Sequence, residues 1–397
     1  MNLLYLSYWG INDGLTHSTV FPYLEIISSL PSIATITLVT IERDGEKASY
    51  CGPQSEKILF EPLYSQNIRP GLLNKVNDFL LFPKLLIGIC SKNKIDKLLA
   101  RGAPAGALAW MVCKKLKMPY IVESFEPHSA YMLESGVWSR FNPKYIFEKY
   151  WERKQKETAA ALIVVSENYR KQLIAEDVHK EKIFHIPCCV DIDKFSYNES
   201  ARKKYRKKLS LADNSIVGIY VGKFGDIYYK EEAFEILEQA FDFFGDNLHI
   251  VILTPQDKSE VLKWIRGYNI PKNRICIDKV PHYEIPNYLS ASDFALSFVK
   301  PASCRKFCSP IKDGEYWANG LITLMANDIG DDSTITQTHQ TGFIFNLNPN
   351  NLSDCFNSLN TELTTSTRNQ IALKISMVAQ KTRSYTIARE VYTKLLG

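Results

Sequence analysis

Residues 295–327 read ALSFVKPASCRKFCSPIKDGEYWANGLITLMAN. The outer runs, ALSFV and LITLMAN, are almost continuously apolar, as strands buried on both faces of a parallel sheet are. Between them Ser309 reads as an N-cap, Pro310 as the first helical residue and Asn319-Gly320 as the stop, which predicts a helix of about ten residues. A strand, a loop, a helix and a second strand in that order make a βαβ unit. Its helix start follows the carboxyl end of a strand, where open α/β sheets bind ligands, and the first-turn amides of Ile311 and Lys312 with the helix dipole favour an anion there. Lys312 adds a mobile charge. Glu315, one turn in, has the wrong sign for a phosphate but accepts hydrogen bonds from vicinal hydroxyls, as acidic residues do for ribose. Helix start and glutamate together point to a nucleotide sugar; a plainly capped helix with a solvated glutamate fits the spacing of this segment equally well.

Outward from this unit the same alternation fills the chain. NLLYLSY, a helix over 17–30, ATITLVT, KIDKLLA, PYIVESF and AALIVVS precede a break near IPCCVDIDKF (186–195) and the basic stretch NESARKKYRKKLSLADN (198–214). SIVGIYVG, LHIVILT, RICIDKV, DFALSFV and LITLMAN follow it. Short apolar runs separated by helical ones predict two α/β, Rossmann-like doubly wound domains, with the central cleft between their carboxyl ends as the default site. The expected boundaries are 1–190 for the first domain and 191–383 for the second, with a C-terminal helix near 384–397 crossing back to the first.

A chain of 397 residues is longer than one core usually holds. Its 45% hydrophobic and 23% charged content is ordinary for a globular protein, and a formal charge of +5 is too small to indicate bulk nucleic-acid binding. The nine cysteines are scattered without a Cys-x-x-Cys pair, so neither a disulfide framework nor a zinc site is expected, and a reduced, cytoplasmic setting fits. MNLLYLSYWG lacks a basic leader and reads as a buried first strand rather than a signal peptide. The apolar run at 79–90 is about half the ~20 residues a spanning helix needs and contains Pro83 and Lys84. With Lys92 and Lys94 it offers peripheral contact to an anionic membrane. The RKKYRKK run at 202–208 reads as the coat of a solvated helix.

The motifs run in an order similar to that of the GT-B retaining glycosyltransferases of the family 4 type. A glycine-bearing loop after the first strand (WGINDGLTHS) is followed by AALIVVSENYRKQL, KIFHIPCCVDIDKF, YVGKFGDIYYKE, VPHYEIPNYLSASDFALS and SPIKDGEYWANGLITLMAND. The resemblance implies that Gly222 and Lys223 stand where the family has its Gly-Arg pair, with Lys230 as the following lysine across a longer spacing, FGDIYY. Both lysines would hold the donor diphosphate and act in catalysis, with Gly14, Ser309, Pro310, Ile311 and Lys312 completing the donor site. Glu315 matches the second glutamate of the family's Glu, seven residues, Glu motif, expected on the ribose. The first would fall at Phe307 and is missing.

In the first domain, PYIVESFEPHSAYM (119–132) reads as a strand running into a loop at the cleft edge, where Glu123, Glu126 and His128 gather. His128 suits contact with sugar hydroxyls or a proton relay, with Thr16 and Glu126 beside it on the acceptor side. Neither a cofactor nor a metal is expected: the chain has no Asp-x-Asp motif, and two lysines with a helix start offer the charge a divalent ion supplies elsewhere. The expected partners are a UDP- or GDP-linked sugar and a glycan or lipid-linked acceptor. A nucleotide-sugar epimerase and a non-catalytic sugar-binding protein are the alternatives.

Overall fold

The computed structural model describes residues 1–43, 47–66, 71–212 and 214–397. The chain forms two compact units, Met1–Pro187 with Thr386–Gly397, and Cys188–Tyr385.

Unit 1 is built on β1 (Asn2–Ser7), β2 (Thr35–Val39), β3 (Ile41–Glu42), β4 (Ile58–Phe60), β5 (Leu63–Tyr64), β6 (Lys97–Arg101), β7 (Tyr120–Phe125), β8 (Ala161–Val164) and β9 (Ile183–His185). Seven of these form one sheet in the order β4-β2-β1-β6-β7-β8-β9, while β3 and β5 make a small separate pair. Every pairing in the larger sheet is parallel. Leu3 to Leu6 are wholly buried, as a central strand covered by helices on both faces requires. The helix Tyr385–Leu396 packs here: Tyr392 meets the Tyr23 ring edge-on at 5.8 Å, and Lys97 Nζ donates to the Leu395 carbonyl.

Unit 2 carries β10 (Ile216–Val221), β11 (Leu248–Leu253), β12 (Ile275–Asp278), β13 (Phe294–Ser297), β14 (Ile322–Ala326) and β15 (Gly342–Phe345), in the order β12-β11-β10-β13-β14-β15. All five pairings are parallel. Counted within the unit this is 3-2-1-4-5-6, the dinucleotide-fold order, and the order reverses between β10 and β13.

Two sequence expectations change, and a third gains its context. The 17–30 helix begins as a π-helical turn, Thr16–Val20, before Phe21–Ser28. The basic run lies on the helix Glu199–Lys208 but is not wholly solvated: Arg206 is buried and Arg202 nearly so, at 3.5 and 2.6 Å from Asp293. Asp293 also accepts from the Val217 amide, so the two arginines tie this helix to the start of β10. Lastly, the 79–90 run lies within a longer helix, Gly71–Lys92, with Pro83 inside it; among the described residues no helix is long and apolar enough to cross a membrane.

Candidate donor site

Ligands of a doubly wound sheet bind outside the strand ends where the order reverses, here after β10 and β13. Gly222 and Lys223 follow β10 directly, and the loop after β13 leads to the helix Ile311–Ala318. The two meet. A Cβ at Gly222 would lie 3.2 Å from Lys312 Cε and 2.8 Å from the Tyr220 hydroxyl, so a side chain there would displace the lysine stem that crosses it.

The helix start differs from its expected form. Pro310 is the N-cap with extended ψ, Ile311 is the first helical residue, the helix has 8 residues and no side chain caps it. Ser309 is engaged elsewhere: its hydroxyl accepts from the Cys188 amide at 3.0 Å and from the buried Arg383 guanidinium. The Ser-Pro signal therefore marks the helix correctly but not the cap, because Arg383 competes for the hydroxyl. An uncapped first turn leaves its amides to a ligand.

Lys223 Nζ sits 2.5 Å from Asp226, across a turn in which Gly225 and Asp226 have φ of 87° and 56°. Two devices fix the Lys223 backbone. The Tyr220 hydroxyl donates to its carbonyl, and the Gln256 amide brackets the next residue, accepting from Phe224 N at 2.8 Å and donating to Phe224 O at 3.2 Å. The long FGDIYY spacing is itself ordered, since Tyr229 N donates to Phe298 O and Lys300 N to Ile227 O, a short ladder against the segment after β13. That ladder carries Lys230 to the head of the next helix. Its ammonium lies 4.7 Å over the Trp264 ring and 3.5 Å from Glu231, whereas Lys312 lies 5.9 Å over Tyr228. Lys312, rather than Lys230, is the cation these contacts bring to Gly222.

Glu315, only 5% exposed, has its Oε1 2.9 Å from Nε2 of His282, a half-exposed residue just beyond β12. His282 was missed as a site residue, although VPHYEIPNYL placed it after a strand at the same carboxyl edge. Gln256, after β11, left no such signal.

Beneath the helix start, Asp313 and Asp332 are buried with Arg383, which bonds Asp332. The Asp313 oxygens make no bond of ordinary length, although Ser297 and Asp332 stand close enough to bear on its charge. Burial raises the pKa of Asp313, and raises that of Asp332 well above the usual carboxylate range despite Arg383. Both carboxyl groups are dehydrated, and of the two the one guanidinium beside them bonds Asp332 alone.

Unit 1 places its predicted residues differently. Glu123 does not join Glu126 and His128: it is in the core, paired with buried Arg101 and accepting from the Tyr5 hydroxyl at 2.8 Å. Thr16 is also buried, its hydroxyl donated to the Gly10 carbonyl at 2.7 Å, while Gly14 stands in open space. His128 opens the helix His128–Glu134 and meets Trp138 edge-on at 5.8 Å, with Glu126 two residues before it. That helix is anchored by Glu152, which accepts from Ser129 N at 2.7 Å and from its hydroxyl at 2.6 Å. An open groove of about 420 Å³ in unit 1 is lined by His17, Phe21, Pro22, Glu25, Pro53 and Gln54 among others, and none of the predicted residues lines it. Among the described residues no group of three or more His, Cys, Asp or Glu gathers as a metal site would need.

Residues 36–194 match the family model described as Glycosyltransferase Family 4. A Bacillus subtilis (strain 168) protein, TuaC, which carries the name of a teichuronic acid biosynthesis glycosyltransferase, is 20% identical over 238 residues, 60% of this chain and 54% of its own length. The chain thus spans about half the length of that curated relative. Solved structures match throughout: sucrose-phosphate synthase from Thermosynechococcus elongatus (TM-score 0.76, 13% identity, 100% of this chain and 98% of that one) and Anabaena HepE in complex with UDP (0.71, 15%, 100% and 99%). WaaG, a glycosyltransferase of lipopolysaccharide biosynthesis, has a TM-score of 0.69 at 12% identity, over 100% of this chain and 99% of that one. The architecture is that of the GT-B glycosyltransferases, two Rossmann-like units. Within that class, the match over residues 36–194 and the Bacillus relative make the chain similar to the family 4, or group 1, glycosyltransferases.

Proposed function

We propose that this chain transfers a sugar from a UDP- or GDP-linked donor to a glycan or lipid-linked acceptor, with retention, as a step in assembling a bacterial-type surface polysaccharide. The observation that carries the reading is the convergence, at the point of strand-order reversal in unit 2, of Gly222, the crossing Lys312 stem and an uncapped helix start one turn before Glu315. The names of TuaC and WaaG support the polysaccharide setting, and HepE, solved with UDP and with UDP-glucose, makes uridine donors the first to try.

As the glycosidic bond breaks, negative charge grows on the departing diphosphate. Unit charges about 4 Å apart attract by about 4 kcal/mol at an effective dielectric constant near 20, before desolvation is counted. Lys223, Lys312 and the first-turn amides therefore stabilise the leaving group without a divalent ion. Lys223 rests on Asp226, but an exposed pair of this kind contributes about 0–1 kcal/mol, so a diphosphate displaces the carboxylate readily. Glu315 accepts from the ribose hydroxyls, and His282 holds its other side. Lys230 adds charge at longer range. Retention follows if the acceptor oxygen attacks the face the diphosphate leaves and the departing phosphate takes its proton, so no protein nucleophile is required. His128, with Glu126, serves the sugar and acceptor, and Gly14 the donor phosphate. The enzyme works in the cytoplasm, in peripheral contact with the inner face of the membrane.

Transfer is tested with a panel of UDP- and GDP-sugars in EDTA, followed by proton NMR of the new glycosidic bond. The expected product has the donor's anomeric configuration. An inverted product would rule out retention, a strict need for a divalent ion would remove the role given to the lysines, and epimerised donor without acceptor would favour the epimerase.

A further inference from the structure

The helix Pro143–Thr158 buries one side and leaves the other exposed in an unusual way. Glu148, Trp151, Glu152 and Gln155 face inward. On the opposite side Ile146, Phe147 and Tyr150 are exposed, and Phe141 just before the helix is 90% exposed. The patch continues onto the neighbouring helix, where Phe79 meets Phe147 at 5.0 Å and Leu80 is 68% exposed. Exposed large apolar groups gathered in one place mark an interaction surface.

The charge around this patch is mainly positive. From 137 to 158 three acids, Glu148 and Glu152 buried and Glu157 exposed at the helix end and paired with Arg153 and Lys154, stand against six lysines and arginines. Arg140, Lys144, Lys149 and Arg153 are exposed beside the apolar groups, and Lys84 stands one turn from Leu80. The Arg153 guanidinium and the Lys154 ammonium lie 5.8 and 5.9 Å from the centre of the Tyr150 ring, so charge borders the aromatic groups of the patch directly. A protein partner would meet this face with acids of its own in a fixed pattern. An anionic bilayer needs only a basic rim and apolar groups reaching the acyl boundary, with aromatic rings at headgroup depth.

We infer that this face, the 143–158 helix with Phe141 and Leu80, docks on anionic lipid. It moves the centre of membrane contact from the 79–94 stretch to the 143–158 helix: Phe79, Leu80 and Lys84 join the face, whereas Phe82, Leu86 and Cys90 are buried and Lys92 is bound to Glu61 at 3.0 Å. The inference deepens the peripheral contact proposed above, but docking itself needs neither donor nor transfer.

The test is co-sedimentation of the full chain with vesicles of phosphatidylglycerol and phosphatidylcholine, and with phosphatidylcholine alone. The wild type should bind the anionic vesicles, release them in high salt and ignore the neutral ones. Phe141→Ser with Ile146→Ser, and separately Lys144→Glu with Lys149→Glu, should each lower partitioning at least about tenfold. Leu373→Ser, which removes an equally exposed leucine in unit 2, should leave it unchanged. Unaltered melting temperatures in the variants separate lost docking from lost folding. Equal binding by wild type and both double variants would overturn the inference. So would a wild type that ignores the anionic vesicles but sediments as a dimer that Phe141→Ser with Ile146→Ser makes monomeric, since the face would then belong to a second copy. Docking without sugar transfer would contradict the proposed activity and leave this inference standing.

Discussion

The two units share a strand order and use its reversal point in opposite ways. In unit 1 the reversal lies between β1 and β6, and the loops there are filled by the protein itself. A Cβ at Gly10 would fall 2.6 Å from a Glu42 oxygen, Glu42 accepts from the Ile11 amide, Thr16 bonds the Gly10 carbonyl, and Gly102, with φ of 84°, lies against Trp9. Beneath them sit Arg101 and Glu123, both buried. In unit 2 the corresponding loops are held from behind, by Gln256, Tyr220 and Arg383, and present Lys223, Lys312 and an uncapped helix to the outside. On the proposed reading, a shared fold does not decide which half binds the anion; the difference lies in how far the polar groups at the reversal point are satisfied internally.

Four substitutions probe that contrast. The largest effect is expected in unit 1 and on stability: Arg101→Met leaves Glu123 buried without its cation, which should cost about 3–5 kcal/mol in chemical denaturation while donor affinity per folded molecule stays the same. Loss of nucleoside diphosphate binding in the folded fraction would break the division between the units. Next, Lys312→Ala should lower turnover about 10²–10³-fold with little change in melting temperature, because its charge matters most as the leaving group develops. Lys230→Ala, with its ammonium over Trp264, should cost less than tenfold; an equal loss would restore Lys230 to the centre of the site.

The smallest effect concerns the acids under the helix start. Their folded-state pKa values are raised above the unfolded ones, so in the folded protein they resist ionisation, and their contribution to stability falls as pH climbs above the ordinary carboxylate range of about 4. Asp313→Asn removes one of the two competitors for Arg383. Its unfolding free energy in chemical denaturation should therefore improve relative to wild type between about pH 4 and pH 7, by about 1 kcal/mol or less. A variant that loses ground as pH rises would mean that Asp313 is ionised and paired.

The alternation of apolar runs was enough to read the inner strands of both sheets, because parallel strands buried on two faces leave a continuous hydrophobic record, whereas the short, partly exposed edge strands β4, β9 and β15 left none. The positions of Gly222, Lys223 and Lys312 were legible for a related reason: each lies within a residue or two of a strand end or helix start, and Glu315 follows one turn into the same helix, so place in sequence nearly fixes place in space. Lys230 was not, since the ladder formed by FGDIYY decides where that lysine points, and ladder pairing lies in the backbone rather than in residue type. Ser309 was misplaced as a cap because its partner, Arg383, is 74 residues distant. Glu123 looked like a cleft residue from its position near a strand end, but strand alternation turned it inward, toward an arginine that 22 residues separate from it. Long-range polar partners leave no local signature.

The central claim is that unit 2 holds a nucleoside diphosphate at its reversal point without a metal. Titration calorimetry of UDP and of GDP into the wild type, Lys223→Ala and Lys312→Ala, all in EDTA, tests it directly. At least one of the two nucleotides should bind the wild type, with affinity falling as salt rises, and each lysine variant should bind it about tenfold or more weakly, near the 1.4 kcal/mol of one lost charged contact. Binding that is absent until a divalent ion is added, or that both variants retain at full strength, would contradict the claim.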